Sequence, residues 1–179
     1  AIRLIDTAHH PILVAGEMIS WEMATQALVD FADASGVGVF TAYRQQDTFP
    51  SDHGANFGHL GINRIPFQEA ALSDCDLLIA MGTRMDSVTV NDYTMIQPDQ
   101  RLVMVYPDPS EFSQWQADVA IASNVMPALE ALTKGVAAPS KKRIQWRDKV
   151  HDEEVKFAQP GEIEVAGAVD MAKVIMHFI

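Results

Sequence analysis

The sequence predicts an α/β fold: a doubly wound, parallel, five- to six-stranded sheet with helices on both faces. Three observations carry that expectation. Five short apolar runs are nearly continuous rather than alternating, as strands covered on both faces must be. Segments with helical spacing separate them. Alternation of strand and helix then requires parallel pairing through right-handed crossovers.

The runs are Pro11 to Gly16 (PILVAG), Val37 to Ala42 (VGVFTA), Asp76 to Gly82 (DLLIAMG), Arg101 to Tyr106 (RLVMVY) and Val119 to Ser123 (VAIAS). Between the first two, Ser20 to Ala34 places Trp21, Ala24, Leu28, Phe31 and Ala32 on one helical stripe. Ser20 is its expected N-cap and Gly36 its stop. Pro66 to Leu72 predicts a shorter helix. Met126 to Thr133 predicts another, capped by Asn124 or Ser123, with Pro127 tolerated in the first turn. The texture changes after Lys134. Gly135 to Ser140 reads as a linker and Lys141-Lys142-Arg143 as a basic cluster. Ile144 to Ala158 reads as a charged, loosely packed helix touching the rest through Trp146, Val150 and Val155. Gln159-Pro160-Gly161 breaks it, and Val165, Val169, Ala172 and Met176 mark one side of a last helix.

Composition excludes several function classes. With 13 basic and 24 acidic residues the net charge is −11, which repels phosphate backbones and anionic lipid, so neither nucleic acid nor membrane is expected as a partner. No apolar run approaches the ~20 residues of a bilayer span. Cys75 is the single cysteine. It excludes an internal disulfide, is expected in the core, and fits a reducing, cytoplasmic setting. The first residue is not Met and the last helix stops inside an apolar period, which suggests a piece of a longer chain.

Ligands of doubly wound sheets lie beyond the carboxyl ends of the strands. The loops expected there are Gly16–Ser20, Tyr43–Ile65, Gly82–Tyr93 and Pro107–Phe112. The topology is Rossmann-like, yet Ala15-Gly16-Glu17-Met18 lacks the G-x-G-x-x-G fingerprint, no acid closes the second strand, and P-loop spacing is absent. His9-His10 has no third metal ligand nearby, and Asp52-His53 has no nucleophile to serve, so both read as structural. Met81, Met85, Met95, Met104 and Met126 read as packing. Gly82-Thr83-Arg84-Met85-Asp86-Ser87 stands apart. It follows a buried strand with a glycine, a hydroxyl and an arginine able to grip phosphate, although an Arg84–Asp86 pair would serve structure alone.

Five stretches in order resemble the central domain of the thiamine-diphosphate-dependent enzymes, the family of acetolactate synthase, benzoylformate decarboxylase and oxalyl-CoA decarboxylase. They are Ala8 to Gly16 (AHHPILVAG), Phe49 to His53 with Phe57 to Gly61 (FPSDH and FGHLG), Asp74 to Arg84 (DCDLLIAMGTR), Tyr106 to Glu111 (YPDPSE) and Gln116 to Ile121 (QADVAI). The match covers about residues 8 to 133 and does not single out one member of the family.

The resemblance implies a three-domain parent that makes or breaks a C–C bond beside the carbonyl of a 2-oxo acid. In it, thiamine diphosphate and Mg2+ bind between N- and C-terminal domains absent here, as homodimer or homotetramer. On this reading residues 1–134 are the central domain and 135–160 a linker and charged helix. Residues 161–179 are the truncated start of the C-terminal domain, and the chain by itself is catalytically inactive. Some family members hold FAD or ADP on the central domain. Gly16, His59, Gly61, Gly82, Thr83, Arg84 and Asp86 fall where those members make contacts. Glu17, Val88 and Tyr106 depart from the pattern and disfavour flavin. The alternative is a free-standing, Rossmann-like module for an adenine nucleotide or FAD.

Overall fold

The computed structural model describes residues 1–159, 167 and 169–178. Six parallel strands form one sheet in the order β3-β2-β1-β4-β5-β6. They are β1 (Pro11–Ala15), β2 (Gly38–Thr41), β3 (Asn56–His59), β4 (Leu77–Met81), β5 (Arg101–Tyr106) and β6 (Val119–Ala122). The order reverses direction at β1, so the crevice of a doubly wound sheet opens between the carboxyl ends of β1 and β4. All five apolar runs are strands. β3 lies inside Tyr43–Ile65 and carries a single large apolar residue, Phe57, which is fully buried. Its register against β2 is irregular, as suits a short edge strand.

Side chains of the central strands alternate between two cores. Leu13 and Ala15, Leu77, Ile79 and Met81, and Val103 and Val105 face one side. Ile12 and Val14, Leu78 and Ala80, and Leu102 and Met104 face the other. The first side is covered by α1 (Ile2–Thr7), α2 (Glu17–Trp21), α3 (Thr25–Ser35) and α5 (Val125–Gly135). The second is covered by α4 (Pro66–Asp74), the segment through Met85, Val90 and Met95, and α6 (Lys141–Ala158). A further helix, α7 (Met171–Phe178), follows, with Val169 and Met176 exposed. Of the residues expected on the last helix, Val165 lies outside the described residues and Val169 precedes α7. Cys75 is buried, and burial pushes its thiol up to about 12, so it is an inert core group.

The structure differs from the expected helices at three places. The single helix over Ser20–Ala34 is two, broken at Glu22-Met23-Ala24, where Met23 takes a left-handed φ of 53°. The break turns Trp21 out to solvent instead of into the stripe and frees Glu22 for another task. Asn124 is the N-cap position of α5 but makes no side-chain cap bond. The Glu22 carboxylate caps the helix from afar, accepting from the Val125 and Met126 amides at 3.1 and 3.0 Å. Gly36 does end α3 in the left-handed conformation.

The third difference is α6, which is not a loosely packed tail. It starts at Lys141, with the Ser140 hydroxyl accepting from the Arg143 amide. Its Arg143 is only 3% exposed. That guanidinium donates to the carbonyls of Ser35 at 2.6 Å, Ile5 at 2.7 Å, Asp6 at 3.1 Å and Ala8 at 2.6 Å. These carbonyls sit at the carboxyl ends of α1 and α3, so the cation meets the negative ends of two helices. One turn on, Trp146 stacks on His10 with ring centroids 4.6 Å apart and meets the edge of Phe57 at 5.7 Å.

Two aspartates lock strand starts by the same device. Asp76, one residue before β4, accepts from the His9 and His10 amides at 2.6 and 2.9 Å. Asp118, one residue before β6, accepts from the Leu102 amide at 2.9 Å and from Arg101 at 2.6 Å. The Leu102 amide first, and Arg101 after it, hold the Asp118 carboxyl below the ordinary carboxylate range.

Removing the buried cation takes the guanidinium donor from the Ser35, Asp6 and Ala8 carbonyls and leaves that of Ile5 with only the long bond from the Ala8 amide. Arg143→Ala is expected to cost about 3 kcal/mol or more in chemical denaturation, with Arg143→Lys recovering only part because an ammonium lacks the planar fork. A loss under about 1 kcal/mol would show that α6 docks without it. Asp118 adds a pH signature. Its folded pKa is depressed, so its contribution is present above the unfolded carboxylate pKa and is lost as pH falls through the folded value. Asp118→Asn should cost about 1 kcal/mol at neutral pH, and that part of the acid dependence should vanish from denaturation curves measured down the pH scale.

Candidate functional site

At the carboxyl edge, the β1 and β4 chain ends cross within contact distance. A Cβ added to Gly16 would lie 2.4 Å from the Gly82 carbonyl oxygen and from Thr83 Cα. One added to Gly82, whose φ is +65°, would lie 2.7 Å from Met18 Cβ and from a methyl of Val125. Both glycines are therefore required by the packing of protein on protein. Gly82 accepts from the Met18 amide and its own amide donates to Val105, which knits the ends of β1, β4 and β5 together.

Beyond this crossing stands a chain of three side chains from three strand ends. Arg84 Nε donates to the Tyr106 hydroxyl at 3.0 Å, and that hydroxyl donates to Glu17 Oε1 at 3.0 Å. Arg84 Nε also lies 3.4 Å from Glu17 Oε1, with the guanidinium side chain 56% exposed and the carboxylate 20%. The hydrogen bond to Tyr106 first, and the Glu17 carboxylate after it, raise the Arg84 pKa further above its already high value. Burial is the main cause that raises the Tyr106 phenol, opposed by the hydrogen bond from Arg84. The chain borders an open groove of about 570 Å3 lined by Met18, Trp21, Arg84, Tyr106, Asp108 and Glu111, among others.

The alternative reading of this loop, an Arg84–Asp86 pair, does not form. Asp86 folds its own loop, accepting from the Val88 and Thr89 amides and the Thr89 hydroxyl. Thr83 is buried, its hydroxyl accepting from the Met85 amide at 3.1 Å. Of the sequence-derived candidates, the structure brings together Gly16, Gly82, Thr83, Arg84 and Asp86. His59 and Gly61 stand at the β3 end, three strand positions from β4, where the His59 carbonyl accepts from Gln68. Two contributors lie outside the candidate set, Glu17 and Tyr106. Their positions directly after β1 and at the end of β5 were the available signal.

The other motifs have structural duties. His53 Nδ1 accepts from the Ala55 amide at 3.1 Å while Nε2 faces Asp33 at 3.4 Å, so the Asp52-His53 stretch organises its loop. His10 is occupied by Trp146 and by the Asp74 carbonyl. Met81, Met85, Met95 and Met104 are buried in the two cores, and Met126 packs against the first.

Comparison with known proteins follows the fold. The family model described as "Thiamine pyrophosphate enzyme, central domain" matches residues 1–132. The large subunit of acetolactate synthase from Corynebacterium glutamicum is 30% identical over 172 residues, covering 91% of this chain and 28% of the relative. Acetolactate synthase from Mycobacterium leprae is 33% identical over 126 residues, covering 70% of this chain and 20% of the relative. A solved structure described as a thiamin diphosphate-dependent enzyme, isolated from Mycobacterium smegmatis, superposes with a TM-score of 0.66 over 79% of this chain and 27% of that one. Its 24% identity makes it evidence of fold.

The phenol offers a direct check on the site geometry. A tyrosinate absorbance titration should show a component deprotonating above the ordinary phenol range, and Tyr106→Phe should abolish that late component. A late component that persists in Tyr106→Phe would place the raised phenol elsewhere.

Proposed function

The chain belongs to the thiamine pyrophosphate enzyme family as its central domain, and from that premise we propose that it is the middle of an acetolactate-synthase-like carboligase or decarboxylase. The parent makes or breaks a C–C bond beside the carbonyl of a 2-oxo acid. The observation that carries this reading is the match along 91% of the chain to one stretch of a large subunit. The chain spans about 28% of that relative's length. A free-standing nucleotide module would have no reason to track a longer enzyme in this way.

On the same reading, residues 1–134 are the central domain, 135–160 a linker and helix, and 161–179 the entry to a C-terminal domain. The N- and C-terminal domains would supply the site for thiamine diphosphate and Mg2+, and the parent would be a cytoplasmic homodimer or homotetramer. Thiamine diphosphate, when bound there, supplies the carbanion that attacks or leaves a carbonyl carbon. The chain's own donors do not suit that site. Among the described residues no group of three His, Cys, Asp or Glu could hold a metal ion, so no catalytic step is assigned to them. Its residues would act by holding loops at the carboxyl edge in fixed positions beside the neighbouring domains. No helix among the described residues is long and apolar enough to cross a membrane.

The test is a comparison of lengths. The 179-residue chain, given thiamine diphosphate, Mg2+ and pyruvate, should show no consumption of the 2-oxo acid. A protein extended to the relatives' length should show consumption that depends on thiamine diphosphate. Turnover by the short chain alone would refute the assignment of catalysis to other domains.

A further inference from the structure

We infer that the carboxyl edge of this domain is cross-tied by its own side chains and takes neither a flavin nor an adenine nucleotide, Arg84 serving as a strut between strand ends rather than as a grip on phosphate. This rests on the central-domain reading, which is what raises the question of a nucleotide at that edge. Most groups a diphosphate would need there are already engaged, and Arg84 is turned by its Nε toward Tyr106 and Glu17. The space against Gly16 is filled by Gly82 and Thr83, and the space against Gly82 by Met18 and Val125, so neither glycine is left open for a phosphate to approach. The Thr83 hydroxyl is buried on the Met85 amide. Asp86 is committed to Val88 and Thr89.

Charge finishes the exclusion. Room exists, since the groove holds about 570 Å3; the groups around it are unsuitable. Its single guanidinium is held by Tyr106 and Glu17, while Asp108 and Glu111 add carboxylates to the lining. The Ser110 amide keeps Asp108 below the ordinary carboxylate range and therefore ionised. One cation, its Nε already beside Glu17, then shares the groove with the Asp108 and Glu111 carboxylates, where two phosphates would need several donors. The far end of the edge is cross-linked as well. Arg64, from the segment between β3 and α4, donates to the Thr89 carbonyl. The Thr89 hydroxyl accepts from the Tyr43 amide at 3.2 Å and donates to Asp86 at 2.7 Å. Loops following β2, β3 and β4 are thereby fastened to one threonine, and those following β1, β4 and β5 to one tyrosine.

The experiment measures binding, so its outcome is separate from that of the thiamine assay. The purified chain, and the longer protein where it is made, should lack flavin absorbance in the visible range. Calorimetric titration with ADP and with FAD should show no saturable heat. The Glu17→Gln/Tyr106→Phe double variant, checked for native circular dichroism, frees Arg84 and removes one charge. It should gain ADP affinity by about tenfold or more, the worth of one released charge-assisted contact, and Arg84→Ala in that background should abolish the gain. One flavin per chain in the unmodified protein, or saturable ADP binding lost on Arg84→Ala, overturns the inference. A double variant that is folded and binds no better than the parent overturns the clamp as the cause.

Discussion

Every residue of β1 and β4 is buried, and this two-sided burial is the constraint on which the remaining architecture depends. A strand with no exposed face needs a complete layer on each side. α3 and α5 supply most of one layer with amphipathic faces, and the short α1 adds Ile5. The opposite layer has less regular material, because the connection from β4 to β5 contains no helix and α4 is short. α6 completes it by laying Trp146 and Val150 against the second core. Its attachment is costly to arrange, since it carries a guanidinium into the interior. The cost is offset by hydrogen bonds to four carbonyls at helix ends. Arg143 thus joins the two layers at the amino-terminal end of the sheet, away from the ligand edge.

The opposite end of the sheet is governed by close approach. Gly16 and Gly82 let the exits of β1 and β4 touch, and once they touch, the chain after each strand has little freedom in direction. Glu17, Arg84 and Tyr106 emerge at three neighbouring strand ends and meet in one chain of hydrogen bonds. In such a chain the hydroxyl relays polarisation between cation and anion, so the three groups act as a unit. A domain of this family therefore keeps the Rossmann-like frame while its carboxyl edge is furnished for rigidity. Function resides in what occupies an edge, and the frame alone does not dictate it.

Much of this was legible in the residues. The five continuous apolar runs mark five strands because burial on both faces leaves no polar alternation to obscure them. Gly36 and Pro66 mark helix ends through backbone conformation, which is local. The ordered motifs from Ala8 to Ile121 carry the family through residue identity alone, and the family match over residues 1–132 agrees with them. β3 was hidden because an edge strand of four residues holding Asn56, Gly58 and His59 has no apolar pattern. The break at Met23 was hidden because Ser20–Ala34 keeps helical spacing through it. Arg143 looked like one of three surface cations, although Ser140 ahead of it was a readable N-cap.

The sequence by itself determined the two-faced parallel sheet, its principal helices and its family, because these follow from hydrophobic period, turn chemistry and ordered motifs. Tertiary structure alone decided which polar groups meet. Glu22 caps a helix more than a hundred residues away, Arg143 gathers carbonyls from the start of the chain, and Arg84 turns to Tyr106 and Glu17 in preference to its neighbour Asp86. No local rule foretells these pairings. A long polar side chain can satisfy itself with any partner within its reach, and only the folded arrangement of strand ends determines which partners those are.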